Sequence, residues 1–211
     1  MTVPTQVKRG YLRGVRGILI TKLEVDGSES ESESELDPTI LKHWVDTSQE
    51  VDVSAEIVAG ETAELRGGDR LLLRLEDDDI IVGATLTFRD ARFDGAAAEL
   101  IGGGNVIADQ NDNIIGWNAP TVEEQAERSP FEAKVYVESF NAAGGREGWL
   151  EYTFRYCKGR SAEITHSNRG WGTPEFEVKA KERPHDGASV YQKVFVDSLP
   201  ELATQSESEQ V

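Results

Sequence analysis

The chain is short of almost everything that marks an enzyme, a secreted protein or a membrane protein. It has a single cysteine, Cys157, in 211 residues, which excludes any disulfide within the chain and fits folding in a reducing compartment. No apolar run approaches the ~20 residues that a membrane helix needs. The opening stretch, MTVPTQVKRGYLRG, lacks the apolar centre of a signal peptide. Basic residues are also scarce: 22 Lys and Arg stand against 39 Asp and Glu, for a net charge of −17. Such a chain is not expected to wrap nucleic acid, because that requires cations to neutralise phosphates. The acid excess serves solubility, or it makes a surface that repels nucleic acid, as a conduit that lets DNA slide would require.

Signatures of chemistry are missing as well. There is no P-loop, GxGxxG, GxSxG or CxxC motif. The run Gly102, Gly103, Gly104 lacks the later glycine of a dinucleotide loop, since Ile107 holds that place. His43, His166 and His185 have no metal-ligand spacing among themselves. Thr165, His166 and Ser167 are adjacent, so on a strand they face opposite ways and make a poor nucleophile and base. Asp109, Asn111 and Asn113 have the opening spacing of a calcium loop, but Ile114 replaces its glycine and Pro120 its closing glutamate. Cys157 has no motif around it and reads as a small core residue. No catalytic, cofactor-binding or metal-binding residue is assigned, and no enzymatic activity is expected.

What the sequence does contain is alternation. Residues 11–25 read as a strand in which Leu19, Thr21, Leu23 and Val25 face inward, with Gly14 and Gly17 leaving room for a bulge or a close neighbour. Val51, Val53, Ala55 and Ile57 alternate with polar residues as a half-buried strand. Leu71 to Leu75 form another, and Val82, Ala84, Leu86 and Phe88 share the inner face of a third. Asp94 is placed to N-cap a short helix from Gly95 to Ile101, with Gly102 as its C-cap. Residues 105–116 read as turn-rich, and Thr121 with Glu124 forms a capping box. Residues 131–140 and 148–156 form an aromatic hairpin joined through 142–145, followed by strands at 161–166, 174–181 and 189–196. The tally is eight or nine strands and one or two short helices, a mainly β protein of antiparallel sheets in a sandwich or barrel. Residues 1–10 read as an N-terminal arm, 11–198 as one domain, 26–48 as a long loop and 199–211 as a flexible tail. The loop carries the acidic run SESESESE at 28–35, which has no apolar residue to pack.

The order of these patterns resembles the major tail tube proteins of long-tailed bacteriophages. The residues that carry the likeness are a strand leading into TFRDARFDGAAAELIGGG, the hairpin around RSPFEAKVYVESF and GWLEYTFRYCKG, and the late strand entered through TPEFEVKAK. The resemblance spans roughly residues 10–198, with the Ser-Glu run as a departure from it. It implies two packed β-sheets flanked by one short helix. It further implies six copies in a ring, with rings stacked into a tube through which DNA passes without tight binding. The partners implied are other copies of the chain and further tail proteins (tape measure, tail tip, terminator), with no membrane. The place implied is the virion tail, after synthesis in the host cytoplasm. Other ring-forming tail components, such as a tube-end protein, and a monomeric β-sandwich binding module are the alternatives. In such a module Trp149 and Trp171 would be stacking surfaces; as core or interface residues they suit the tail reading.

Two residue sets follow. Ile40, Leu41, Trp44 and Val45 form an apolar patch on the long loop and are the candidates for a subunit interface. Asp52, Glu56, Glu76, Thr85, Thr87, Glu175 and Glu177 lie on the polar sides of predicted strands, with Arg74 beside Glu76. They are the candidates for lining the lumen, the alternative being a solvated outer face.

Overall fold

In a computed structural model, described at residues 8, 10–23, 41–67, 69–111, 113–126, 128–160, 162–184 and 187–203, the alternating segments become strands. In chain order they are β1 (Tyr11–Lys22), β2 (Lys42–Val45), β3 (Ser48–Val58), β4 (Thr62–Gly67), β5 (Arg70–Glu76) and β6 (Ile80–Asp90). Then come α1 (Gly95–Gly102), β7 (Asn105–Ala108), β8 (Ile114–Asn118) and α2 (Val122–Ala126). Last are β9 (Phe131–Phe140), β10 (Arg146–Gly159), β11 (Glu163–Ile164), β12 (Pro174–Lys181) and β13 (Tyr191–Val196). The protein is mainly β and antiparallel.

One sheet runs in the order β2-β1-β9-β10-β12-β6-β3, with β11 added to β12 and β13 to β10. The 14-residue β10 makes this possible. Its first part pairs with β13 from Trp149 to Phe154, and its end pairs with β12 from Cys157 to Gly159. The two layers are therefore halves of one sheet turned over on itself. Between them lie Ile18 and Ile20 of β1, Phe131 and Val135 of β9, Phe154 and Cys157 of β10, Leu86 and Phe88 of β6, and Phe176 and Val178 of β12. Phe88 and Phe176 stack at 5.0 Å between ring centroids. Burying each such side chain stabilises the fold by roughly 1.5–3 kcal/mol.

Helix α1 plugs one end of this core. Its Ala97 and Ala98 are fully buried, and small side chains let the helix approach the sheet closely. Asp94 caps it by accepting from the amides of Ala96 and Ala97 at 2.9 and 3.2 Å. The helix ends one residue later than its sequence suggests, with Gly103 as the C-cap at φ 77°.

Several expectations are corrected. In β1 it is Ile18 and Ile20 that enter the main core, not Leu19. Leu19 packs on the other side, in a second cluster with Trp44, Tyr136, Trp149, Leu199, Leu202 and Ala203. A strand covered on both faces has no single inward set. Gly17 serves this second cluster, since a Cβ there would stand 2.3 Å from the Trp44 ring. Because Leu199, Leu202 and Ala203 are part of it, the folded body extends past 198. The turn-rich stretch 105–116 is a hairpin, β7 with β8, and residues 62–67 are a strand that the pattern did not announce. Residues 24–40, with the Ser-Glu run and Ile40, lie outside the described residues, as do His185 and 204–211.

Candidate functional site

Six of the seven lumen candidates meet on one surface. Directly opposed residues in antiparallel strands project to the same side of the sheet. Asp52 is opposite Thr87, and Thr87 is opposite Glu177. Ser54 is opposite Thr85, which is opposite Lys179, while Glu50, Arg89 and Glu175 form the row on the other side. Glu56 joins by accepting from the Thr85 hydroxyl at 3.1 Å. The other face of β6 and β12 is the core, with Val51 of β3 packed on it, so folding fixes this polar face on the outside of β3, β6 and β12.

The face is not uniformly acidic. Arg89 bonds Glu175 at 2.7 Å and Glu50 at 2.8 Å, and Glu175 first, then Glu50, raises the arginine's pKa further. Toward β10 the charge changes sign. Lys158 of β10 lies opposite Lys179, and Lys179, Lys181, Arg160 and Arg128 line one cleft with it. The surface therefore grades from acid at the Glu50–Glu175 end to base at the Lys158–Lys181 end.

The seventh candidate, Glu76, is elsewhere. It sits on a projecting ribbon, β4 with β5, paired with Arg74 at 3.5 Å. The ribbon continues the long excursion from β3 out and back into β6. An elbow joins it to the body, where Gly60 lies so close to the Asp77 carbonyl that a Cβ would be 1.8 Å from that oxygen. The Gly60 amide donates to Asp79 at 3.0 Å. One side of the ribbon carries Glu64, Arg74 and Glu76. The other carries Ala63, Leu65, Leu73 and Leu75, with Ala63 opposite Leu75 and Leu65 opposite Leu73. Among the described residues nothing covers that apolar side: Leu65 and Leu75 are each 58% exposed and Leu73 49%.

The interface candidates fare differently from one another. Trp44 and Val45 are buried within the chain itself, Trp44 against Tyr136 at 5.6 Å and Val45 in the main core. The neighbour that this patch needed is the protein's own sheet, through β2 and β1. Leu41 is half-buried, and its carbonyl accepts from Lys22 at 2.8 Å. Of the tryptophans, Trp149 lies under Arg146 in the second cluster, whereas Trp171 is 97% exposed. No sequence signal separated these two; the larger surface, the bare side of the ribbon, was legible only as alternation.

The polar groups that suggest chemistry are engaged locally. Asp109 accepts from the Asn111 and Asn113 amides at 2.8 and 3.0 Å, and Asn113 above all holds its carboxyl below the usual range. This carboxylate closes the β7–β8 turn. Thr121 and Glu124 form the expected capping box, at 3.3 and 2.6 Å. His43 bonds Asp94 at 2.6 Å. Burial opposes ionisation of Asp94, but the bond and charge of His43 and the two helix amides outweigh it, so the carboxyl stays below its usual range. Asp90, fully buried, is instead pushed up by desolvation against the bond from Thr47. Burial also raises the Cys157 thiol far above its usual value, which keeps it protonated and unreactive. Among the described residues no three His, Cys, Asp or Glu are grouped to hold a metal ion, and no helix is long and apolar enough to cross a membrane.

No family model matches the chain, and no curated protein matches it. Among solved structures seven chains match. One belongs to a structure described as the cryo-EM structure of the anti-feeding prophage (AFP) baseplate, 6-fold symmetrised. It is 12% identical, covers 94% of this chain and 100% of that chain, and has a TM-score of 0.32. A score of that size does not establish a common fold.

Proposed function

We propose that this chain is a structural subunit that assembles with copies of itself, as rings stacked into the tail tube of a long-tailed phage, through which DNA passes. The observation that carries the assembly reading is the β4–β5 ribbon. A lone two-stranded ribbon is marginal in water, and this one also leaves Leu65, Leu73 and Leu75 bare. Ile57, Val58, Ile80, Ile81 and Val82, at its root, are exposed as well. An apolar surface of this extent marks an interface. Contact between a projecting ribbon and a different surface of the next copy is head-to-tail, and such contacts close into rings or continue as filaments. The tail assignment rests on the resemblance of residues 10–198 to tail tube proteins. On that reading the polar face of β3, β6 and β12 is the candidate for the wall of the conduit. Its mixture of charges offers DNA neither a continuous adhesive strip nor a wholly acidic one.

Negative-stain electron microscopy of the purified protein at rising concentration tests this. Hollow tubes with a regular axial repeat are expected. Discrete rings that never stack would assign the chain to a tube end instead. A protein that stays monomeric at high concentration, by sedimentation as well as microscopy, would overturn self-assembly.

A further inference from the structure

We propose that the cleft between the ends of β10 and β12 is a binding site for a phosphate-type oxyanion. The cleft has a volume of about 410 Å³ and is lined by Arg128, Lys158, Arg160, Lys179 and Lys181, with Tyr156 and one acid, Glu177. That is five cations to one carboxylate in a chain whose net charge is −17. The contrast with the rest of the surface is sharp. Elsewhere among the described residues Arg66, Arg74, Arg89, Arg92, Lys134, Arg146 and Arg183 each have an acidic partner within 4 Å, and the cations without one, such as Arg13, Lys42 and Arg70, do not share a cleft with four others. In the cleft only Arg160 has one, Glu177 at 3.6 Å. Among the described residues, Lys158, Lys179 and Lys181 have none.

The register sharpens the point. Lys158 and Lys179 are directly opposite each other, and like charges in that position are destabilising. Lys181 lies two residues along β12 from Lys179, on the same face. An anion seated among the three ammonium groups turns this repulsion into attraction and gives each a hydrogen-bond acceptor. Arg128 is held at the cleft by donating through Nη1 to the Gly159 carbonyl. The oxygens of phosphate, as the free ion or within a phosphodiester, suit this donor set: a charged guanidinium held in place by the Gly159 carbonyl, and three lysines.

The site stands on this cleft alone; since the cleft is the basic end of the face proposed for the conduit wall, tight oligonucleotide binding would support the site and count against that face as the wall. Its test uses the full chain at concentrations where it is monomeric. Inorganic phosphate is titrated while the backbone amides of Tyr156, Gly159 and Lys179 are followed by NMR. A short fluorescent oligonucleotide is titrated in parallel by anisotropy. The variant K158Q/K179Q/K181Q removes the lysines, and R13Q/K42Q/R70Q removes the same charge from exposed positions elsewhere. The expected result is saturable binding that weakens at least ~tenfold in the first variant and less than ~twofold in the second. Binding of free phosphate alone, or of the oligonucleotide with a steep salt dependence, supports the site and identifies the source of the oxyanion. No saturable change with either probe overturns it, as does equal weakening in both variants. It is overturned too if the lysine variant loses self-assembly while the native protein binds neither probe, since the cleft is then a seat for acidic side chains of a second copy.

Discussion

The strands that leave the body at Ser48 and return at Asp90 live in two environments. Near the body Val51 is opposite Phe88 and packs on a core in which Phe88 is 4% and Leu86 1% exposed, while Val53, opposite Leu86, is already 41% exposed. Farther out the same alternation continues, yet Leu65, Leu73 and Leu75 have no cover among the described residues. Already at the root Ile57 is 57% exposed, although its sequence reads as half-buried. Alternation records that a strand has an apolar side. It does not record which molecule covers that side. In the body the cover is the facing half of the sheet, and on the ribbon the proposed cover is another copy.

The largest effect should come from damaging the covered region. Phe176 is fully buried and stacks on Phe88. Phe176→Ala should destabilise the monomer by ~3–5 kcal/mol through lost burial and the cavity left behind. Denaturant unfolding at low protein concentration measures it. A loss below ~1 kcal/mol would mean that the body is loosely packed and the contrast with the ribbon is false.

A smaller effect is expected at the helix that plugs the core. Asp94→Ala removes the N-cap and the partner of His43, and should cost about 1–2 kcal/mol at neutral pH. The Asp94 carboxyl titrates below its usual range in the folded state. Its contribution is therefore complete above the unfolded value of ~3.9 and is lost as the pH falls through the lower folded value. The gap between native and variant protein should close in that acid range. A gap unchanged down to pH ~2 would show that the charge has no part in the cap.

Asp90 should behave in the opposite sense. Its pKa is raised by burial, so its ionised form opposes folding above the ordinary carboxyl range, and acid relieves that opposition. Asp90→Asn keeps an acceptor for Thr47 and removes the charge, so it should be neutral or stabilising by up to ~1 kcal/mol at pH 7. The difference should vanish below pH ~4. A loss of stability at neutral pH would show that the carboxylate has a role its surroundings do not reveal.

How much of this the sequence disclosed follows from the same contrast. The Asp94 cap, the capping box of Thr121 with Glu124 and the hairpin of β9 with β10 were legible because each depends on neighbours in sequence. The common face of Asp52, Thr87 and Glu177 was half legible: alternation gave the polar side of each strand, but only the register joined the three. The cover over Trp44 and Val45 was not legible, because for Trp44 it comes from Tyr136, far along the chain, and from the space left by Gly17, and for Val45 from the main core. The basic cleft was hidden for a related reason. Lys158 and Lys179 lie far apart in a sequence whose overall charge is acidic, and they meet only through the pairing of β10 with β12.

The smallest effect on the monomer should accompany a large one on assembly. Leu65→Ser, Leu73→Ser and Leu75→Ser together alter side chains that are already about half exposed. They bury little within the chain, so the body should unfold within ~0.5 kcal/mol of the native protein. If another copy covers this side, each leucine contributes about 1 kcal/mol at the contact, and three together move the assembly midpoint by on the order of a hundredfold in concentration. Sedimentation velocity across a concentration series reads both species at once. Loss of assembly with an intact body would place the contact on the apolar side of the ribbon. Unchanged assembly would move the contact elsewhere and leave the exposed leucines without a role. Destabilisation of the body would show that the ribbon packs on its own chain, and the two regions would then be one.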